Sequence, residues 1–220
     1  MADSKKIYAV NGSPRRNGNT AELLRSALAG AADGGAATEL IQLADLDYSG
    51  CTSCFACKRK NSPAYGKCAV RDDLTAVLEK LQCADGVILG TPVYFGGETG
   101  MFRNLIERLF FANFRYDKEH SSLLKKQIPL AFIYTMNVNT ADAAKYRYAD
   151  RLHMLQAFGG RIFNFAEPQV LFACNTWQFD DYEQYDAELF DVADKKRSRE
   201  EEFPVYCQQA RQIGKDFAVR

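Results

Sequence analysis

Lys5-Lys6-Ile7-Tyr8-Ala9-Val10-Asn11-Gly12-Ser13-Pro14-Arg15-Arg16-Asn17-Gly18-Asn19-Thr20 is the stretch on which the fold turns. Ile7 to Val10 is a short apolar run, the signature of a strand buried on both faces. Beyond the loop, Leu23, Leu24, Ala27, Leu28 and Ala31 recur at helical spacing, and Gly34-Gly35 is expected to stop that helix. A buried strand that passes through a polar loop into an amphipathic helix opens a βαβ unit.

The same alternation continues along the chain. Leu40 to Leu43, Val87 to Leu89, Leu130 to Tyr134 and Ile162 to Phe165 read as further strands, with Val170 to Ala173 an extension or an edge. Leu74, Val77, Leu78 and Leu81 mark a helix that Asp72 is placed to cap. Phe102, Leu105, Ile106, Leu109 and Phe110 mark the next, and residues 142–158 another, closed by Gly159-Gly160. Tyr206, Ala210, Ile213 and Phe217 share one face of a last helix, with Pro204 in its first turn. Five strands with intervening helices predict an α/β three-layer sandwich. Residues 1–220 form one domain in this reading, with an inserted loop at 48–71 and a C-terminal extension over 175–220 that ends in a helix. Ligands in such sheets sit at the carboxyl ends of the strands, beside the point where the strand order reverses.

Composition narrows the function classes. With 220 residues, 47% hydrophobic and 25% charged, the chain is ordinary globular material. Lys plus Arg and Asp plus Glu are both 28, so the generic electrostatic case for a nucleic-acid partner is absent. No apolar run approaches the ~20 residues of a membrane span. The start of the chain lacks the apolar run of a secretion signal, and seven cysteines are an odd number. Reduced thiols and a cytoplasmic protein follow as expectations.

The loop after the first strand is not a dinucleotide fingerprint, since Gly12 and Gly18 do not give G-x-G-x-x-G. Nor is it a Walker A loop: five residues separate the glycines, and Asn19 stands where lysine is required. What remains is small, hydroxyl-rich and basic, and it opens a helix. Free backbone N–H groups, the helix dipole, the Ser13 and Thr20 hydroxyls and the Arg15 guanidinium all favour a phosphate there, although the same polar residues also serve as caps. After the third strand comes Gly90-Thr91-Pro92-Val93-Tyr94-Phe95-Gly96-Gly97. It offers aromatic surface beside main-chain donors and acceptors, a setting for a planar ring with a polar edge, or else two aromatics packed into a core.

These two loops, together with Phe102-Arg103-Asn104-Leu105-Ile106-Glu107-Arg108, resemble the NADPH-dependent FMN reductase family of flavodoxin-like proteins. Within it, the chain is similar to the iron–sulfur flavoprotein branch and its cluster-free relatives. The resemblance covers residues 5 to about 170. It implies a flavodoxin-like five-stranded parallel sheet of order 2-1-3-4-5. It also implies that Ser13, Arg15, Gly18, Asn19 and Thr20 hold the FMN phosphate. Pro92, Val93, Tyr94, Phe95 and Gly96 would then lie against the isoalloxazine, with Met136 and Asn137, after the fourth strand, closing the site. The implied activity is that of an FMN-dependent oxidoreductase. It takes hydride from NAD(P)H and passes electrons to a flavin, quinone, nitroaromatic or other small acceptor. An electron carrier between protein partners and a thiol redox sensor are the alternatives. A homodimer or homotetramer is the expected assembly, and the aromatic stretch 175–185 is expected to pack on a neighbouring subunit or to lid the flavin.

Cys51, Cys54 and Cys57 form C-x2-C-x2-C, and Cys68 follows after ten residues. Thiolates at such spacing can converge on a [4Fe–4S] cluster, though iron–sulfur flavoproteins usually place the fourth cysteine sooner. Zinc is disfavoured because no second paired C-x2-C is present. Two other readings remain open: a reduced loop without metal, or redox thiols whose pKa is lowered by Lys58, Arg59 and Lys60. Cys83, Cys174 and Cys207 read as inert core residues. His120 and His153 have no partners at ligand spacing, and Lys195 to Glu202 reads as a solvated helix face.

Overall fold

The computed structural model describes residues 4–220. Strands β1 (Lys6–Asn11), β2 (Ala37–Gln42), β3 (Gly86–Tyr94), β5 (Leu130–Thr135) and β6 (Gln169–Ala173) are parallel. The two-residue β4 (Gly97–Glu98) folds back antiparallel on the end of β3. The sheet order is β2-β1-β3-β5-β6. Numbered among themselves the five parallel strands run 2-1-3-4-5, as the resemblance implies. The central strands are the most apolar because both their faces are covered: every residue of β5 is buried, as are the first six of β3.

On one face lie α1 (Asn19–Asp33) and α7 (Phe203–Val219), packing Leu23, Leu24, Ala27 and Leu28 with Ile213 and Phe217 over Ile7 and Ile88. On the other lie α2 (Leu74–Cys83), α3 (Gly100–Asn113) and α5 (Tyr148–Ile162), which enclose Leu89, Phe132 and Tyr134. Each such side chain contributes about 1.5–3 kcal/mol when removed from water. The α1–α7 crossing is close because glycines meet backbone there. A Cβ on Gly214 would lie 1.8 Å from the Ala27 carbonyl oxygen, and one on Gly30 would lie 1.9 Å from that of Arg211.

Three expectations are corrected. Ile162 to Phe165 is not a strand: α5 runs to Ile162, and the fifth parallel strand is β6. The reason lies in Gly159-Gly160, which sits inside the helix. A Cβ on Gly159 would come within 2.9 Å of both Leu130 and Phe132, so the pair allows close packing on β5 rather than ending a helix. Residues 142–158 are not one helix either, because Arg147, with φ 56°, separates α4 (Thr140–Lys145) from α5. The run from Lys195 is not a wholly solvated face, since Lys195 and Ser198 are buried. It belongs to α6 (Val192–Arg197), which continues through a π-helical turn (Ser198–Glu202) into α7. Pro204 occupies the first turn of α7 as expected. The wider turn before it fits a ring that removes one helical hydrogen bond.

Candidate functional site

The strand ends and their loops form a cleft of about 380 Å³. Its first wall is the β1–α1 loop, which contributes Ser13, Arg15, Gly18, Asn19 and Thr20. Asn11, fully buried at the end of β1, shapes this loop. Its Nδ2 donates to Gln42 Oε1 at 2.7 Å and to the Arg15 carbonyl at 3.3 Å, while its Oδ1 accepts from the Ser13 N–H at 3.1 Å. Ser13 Oγ accepts from the Arg15 N–H at 3.1 Å. At the N-cap of α1, Gly18 has no side chain, so the first N–H groups of the helix lack a side-chain cap.

The loop is joined to the next strand end. The Gly12 N–H donates to the Gly90 carbonyl at 2.7 Å, and a Cβ on Gly12 would meet Phe102 at 2.6 Å. Thr99 caps α3 by accepting from the Phe102 N–H, and its Oγ1 donates to the Gly12 carbonyl at 2.6 Å. The β1–α1 loop and the end of β3 are therefore joined into one rim by hydrogen bonds.

The second wall is Pro92, Val93, Tyr94 and Phe95. Phe95 is fully exposed at φ 51°, a left-handed conformation that costs a bulky residue about 1–3 kcal/mol and is held at ligand sites more often than elsewhere. Gly96 follows at φ 85°, where glycine is the natural residue; it does not line the cleft but lies against Arg151.

The third wall is Thr135, Met136 and Asn137, so the residues carried over from the family do meet the other two loops. Thr135 and Thr20 hydroxyls share a hydrogen bond of 2.8 Å across the sheet. Thr176 and Gln178, which were not singled out in the sequence, complete the cleft. The stretch 175–185 closes one side of it: Asn19 Nδ2 donates to the Trp177 carbonyl at 2.7 Å and Arg15 Nη1 to the Gln178 carbonyl at 2.5 Å. Trp177 and Phe179 meet the buried Tyr182 edge to face, and Phe179 stacks on Tyr185.

Behind Asn137 lies a buried amine. Lys195 is 3% exposed and donates to both the backbone carbonyl and Oδ1 of Asn137. Burial brings its pKa down to about 8, against the opposing pull of Asp194. Lys195 and Asn11 were missed because their partners are distant in sequence.

A second, small pocket is lined by Cys51, Cys54, Cys57 and Cys68, with Phe55, Phe111 and Arg108 around them. Ser53 and Phe55 adopt left-handed backbone, turning the chain between successive cysteines. Among the described residues no three potential ligands are close enough to hold a single metal ion. Thiolates are the donor type that iron–sulfur clusters take, and the four cysteines line one pocket. Burial pushes the Cys57 thiol up, and the neighbouring thiols add to this. Lys58 does not reverse it: its Nζ caps the end of α3, donating to the Ala112 carbonyl at 3.2 Å and to that of Phe114. The expected activation of these thiols by the basic run therefore fails at Cys57. Cys174 is buried, but Cys83 is exposed, contrary to its reading as core.

Comparison with known proteins agrees with this geometry. The profile of the NADPH-dependent FMN reductase family matches residues 5–163. An iron–sulfur flavoprotein of Methanocaldococcus jannaschii is 44% identical over 103 residues, 47% of this chain and 51% of that protein. One from Archaeoglobus fulgidus is 41% identical over 103 residues, covering 47% and 48%. The chain thus spans about half the length of the curated relatives it matches. Among solved structures, an NAD(P)H:quinone oxidoreductase from Methanothermobacter marburgensis superposes with a TM-score of 0.68 at 14% identity, covering 97% of this chain and 98% of that one. An FMN-dependent NADH-azoreductase from Bacillus anthracis, solved with FMN, gives 0.65 at 12% identity, covering 97% and 99%. At such identities these two show a shared flavodoxin-like fold. The family match spans β1 through α5 and contains both loops that face the cleft. By that match, the chain belongs to the NADPH-dependent FMN reductase family.

Proposed function

We propose that the chain is an FMN-dependent oxidoreductase that draws hydride from NAD(P)H and delivers electrons to a small acceptor such as a flavin, quinone or nitroaromatic. The observation that carries this is the convergence of an uncapped helix N-terminus, hydroxyls and a guanidinium with an aromatic strand end on one cleft. The Ser13 and Thr20 hydroxyls, Arg15 and the first N–H groups of α1 would bind the phosphate. Pro92 to Phe95 would flank the ring, and the 175–185 stretch would keep water from its sides. When bound, FMN supplies the hydride-accepting centre and can release electrons one or two at a time. No side chain need move a proton in the hydride step, in keeping with a cleft that holds no acid–base pair of the usual kind among the described residues.

The four-cysteine cavity supports a second reading, in which a [4Fe–4S] cluster accompanies the flavin and the chain relays electrons between protein partners. Anaerobic purification, followed by a spectrum and iron and sulfide analysis, tests both cofactors. Yellow protein that oxidises NAD(P)H with a small acceptor supports the enzyme. Brown, iron-containing protein that responds only to a protein donor supports the carrier. Colourless protein that takes up no FMN overturns both.

A further inference from the structure

Lys195 is a buried charge beside the cleft that the proposed chemistry does not use. It comes from α6, yet its ammonium reaches residue 137 across 58 positions of sequence. An ammonium donates and cannot accept. Asn137 must therefore turn its Oδ1 toward Lys195 and its Nδ2 away. That Nδ2 donates to Gln178 Oε1. The Gln178 amide is fixed in turn, with Nε2 left as a donor, and both Asn137 and Gln178 line the cleft. A single cation thus sets the polarity of two amides on the cleft wall.

The charge itself is not cancelled on the spot. Asp194, the neighbouring acid, is engaged elsewhere: its Oδ2 accepts from Asn175 Nδ2 at 2.7 Å and its Oδ1 from Arg197 at 2.5 Å. The Phe190 ring lies 5.2 Å from the ammonium and offers only a weak counter-charge.

We propose that Lys195 is a positioning residue of the flavin cleft: through Asn137 and Gln178 it presents donors and a net positive charge to the cofactor, so that the reduced, more negative form is held more tightly than the oxidised one. This rests on the FMN reading above. The ammonium is buried and hydrogen-bonds the wall residue Asn137 directly, so the field persists into the cleft.

The test compares wild type with Lys195→Met and Lys195→Gln. FMN affinity is measured by fluorescence quenching, and the midpoint potential of the bound flavin by equilibrium dye titration. Circular dichroism melts check that each variant folds. Lys195→Met is expected to weaken reduced FMN roughly tenfold more than oxidised FMN, a fall of about 30 mV for a two-electron couple. Lys195→Gln, which can still donate to Asn137, is expected to recover the affinity for oxidised FMN but not the potential. If Lys195→Met keeps the wild-type potential, whether or not it binds FMN more weakly, the inference falls and a merely structural role remains. If Lys195→Gln restores the potential as well, the charge plays no part and the inference also falls. A folded wild type that takes up no FMN would sink the cofactor reading and this inference with it, whereas a loaded wild type with an indifferent Lys195→Met sinks this inference alone.

Discussion

Arg108 Nε donates to Cys68 Sγ across 3.3 Å, from a side chain with no solvent exposure. The rest of the guanidinium is spent on the same loop: it donates to the Ser49 carbonyl at 3.1 Å, the Val70 carbonyl at 3.0 Å and Asp72 Oδ2 at 2.5 Å. One residue of α3 therefore ties both ends of the cysteine loop. Replacing it by methionine takes the guanidinium from the Asp72 carboxylate, which keeps only the Ser49 and Leu74 N–H groups, and from the Ser49 and Val70 carbonyls, at a cost of about 3–5 kcal/mol. Urea denaturation of Arg108→Met is expected to show that loss. Reconstitution with iron and sulfide is expected to yield less iron per chain than wild type.

The partner of that guanidinium gives an acid limit. Burial alone would raise the Asp72 pKa, but the Arg108 hydrogen bond, the Ser49 N–H and the Arg108 charge outweigh it and hold the carboxyl below 3.8. A carboxyl whose folded value is depressed stabilises the fold above its unfolded pKa and loses that contribution as pH falls through the folded one. Melting temperature should therefore drop below about pH 4 more steeply in wild type than in Asp72→Asn, whose stability is lower at pH 7. Parallel pH profiles would refute the assignment.

The phosphate assignment is tested on the ligand as well as on the chain. Removing a charge-assisted donor costs about 1.5–3 kcal/mol, roughly ten- to a hundredfold in affinity. Arg15→Ala with Thr20→Ala is expected to lose FMN on purification while binding riboflavin, which has no phosphate, as well as wild type does. Equal weakening of both ligands in calorimetry would place the phosphate elsewhere.

Helix propensity and packing make opposite forecasts at Gly214. Alanine is favoured over glycine in a helix by about 1 kcal/mol. Its Cβ, however, would fall 1.8 Å from the Ala27 carbonyl oxygen, so α1 and α7 must separate. Overpacking is expected to win: Gly214→Ala should lower stability by about 1–3 kcal/mol. A raised melting temperature would mean that the two helices are not so closely crossed.

The titration of Lys195 has the same sign as that of Asp72, because both folded pKa values are depressed, but it acts at alkaline rather than acid pH. Its folded pKa, about 8, lies below the usual lysine value, so the unfolded chain binds more protons between those limits. Its burial penalty is felt below pH 8 and relieved as pH rises. The stability of Lys195→Met relative to wild type should therefore be greatest near neutrality and decline toward pH 10.

What the sequence disclosed was local. The apolar runs at Ile7 to Val10 and Leu130 to Tyr134 need no distant information to be strands, and the loop chemistry at Ser13 to Thr20 follows from adjacent letters. Gly159-Gly160 misled because a glycine pair reads as a stop unless Leu130 and Phe132 are known to press against it. Asn11, Arg108 and Lys195 stayed hidden for a related reason. A buried polar residue is recognised by its partner, and Gln42, Cys68 and Asn137 are 31, 40 and 58 residues away. The cysteines were visible as a group, but the single void they share is a product of folding.

The clasp between α1 and α7 also bears on timing. α7 follows α1 by about 170 residues in the chain, yet it is the helix that covers the apolar side of α1. Until α7 has been synthesised, α1 carries an uncovered greasy stripe, and a chain interrupted before Phe203 would be a client for chaperones.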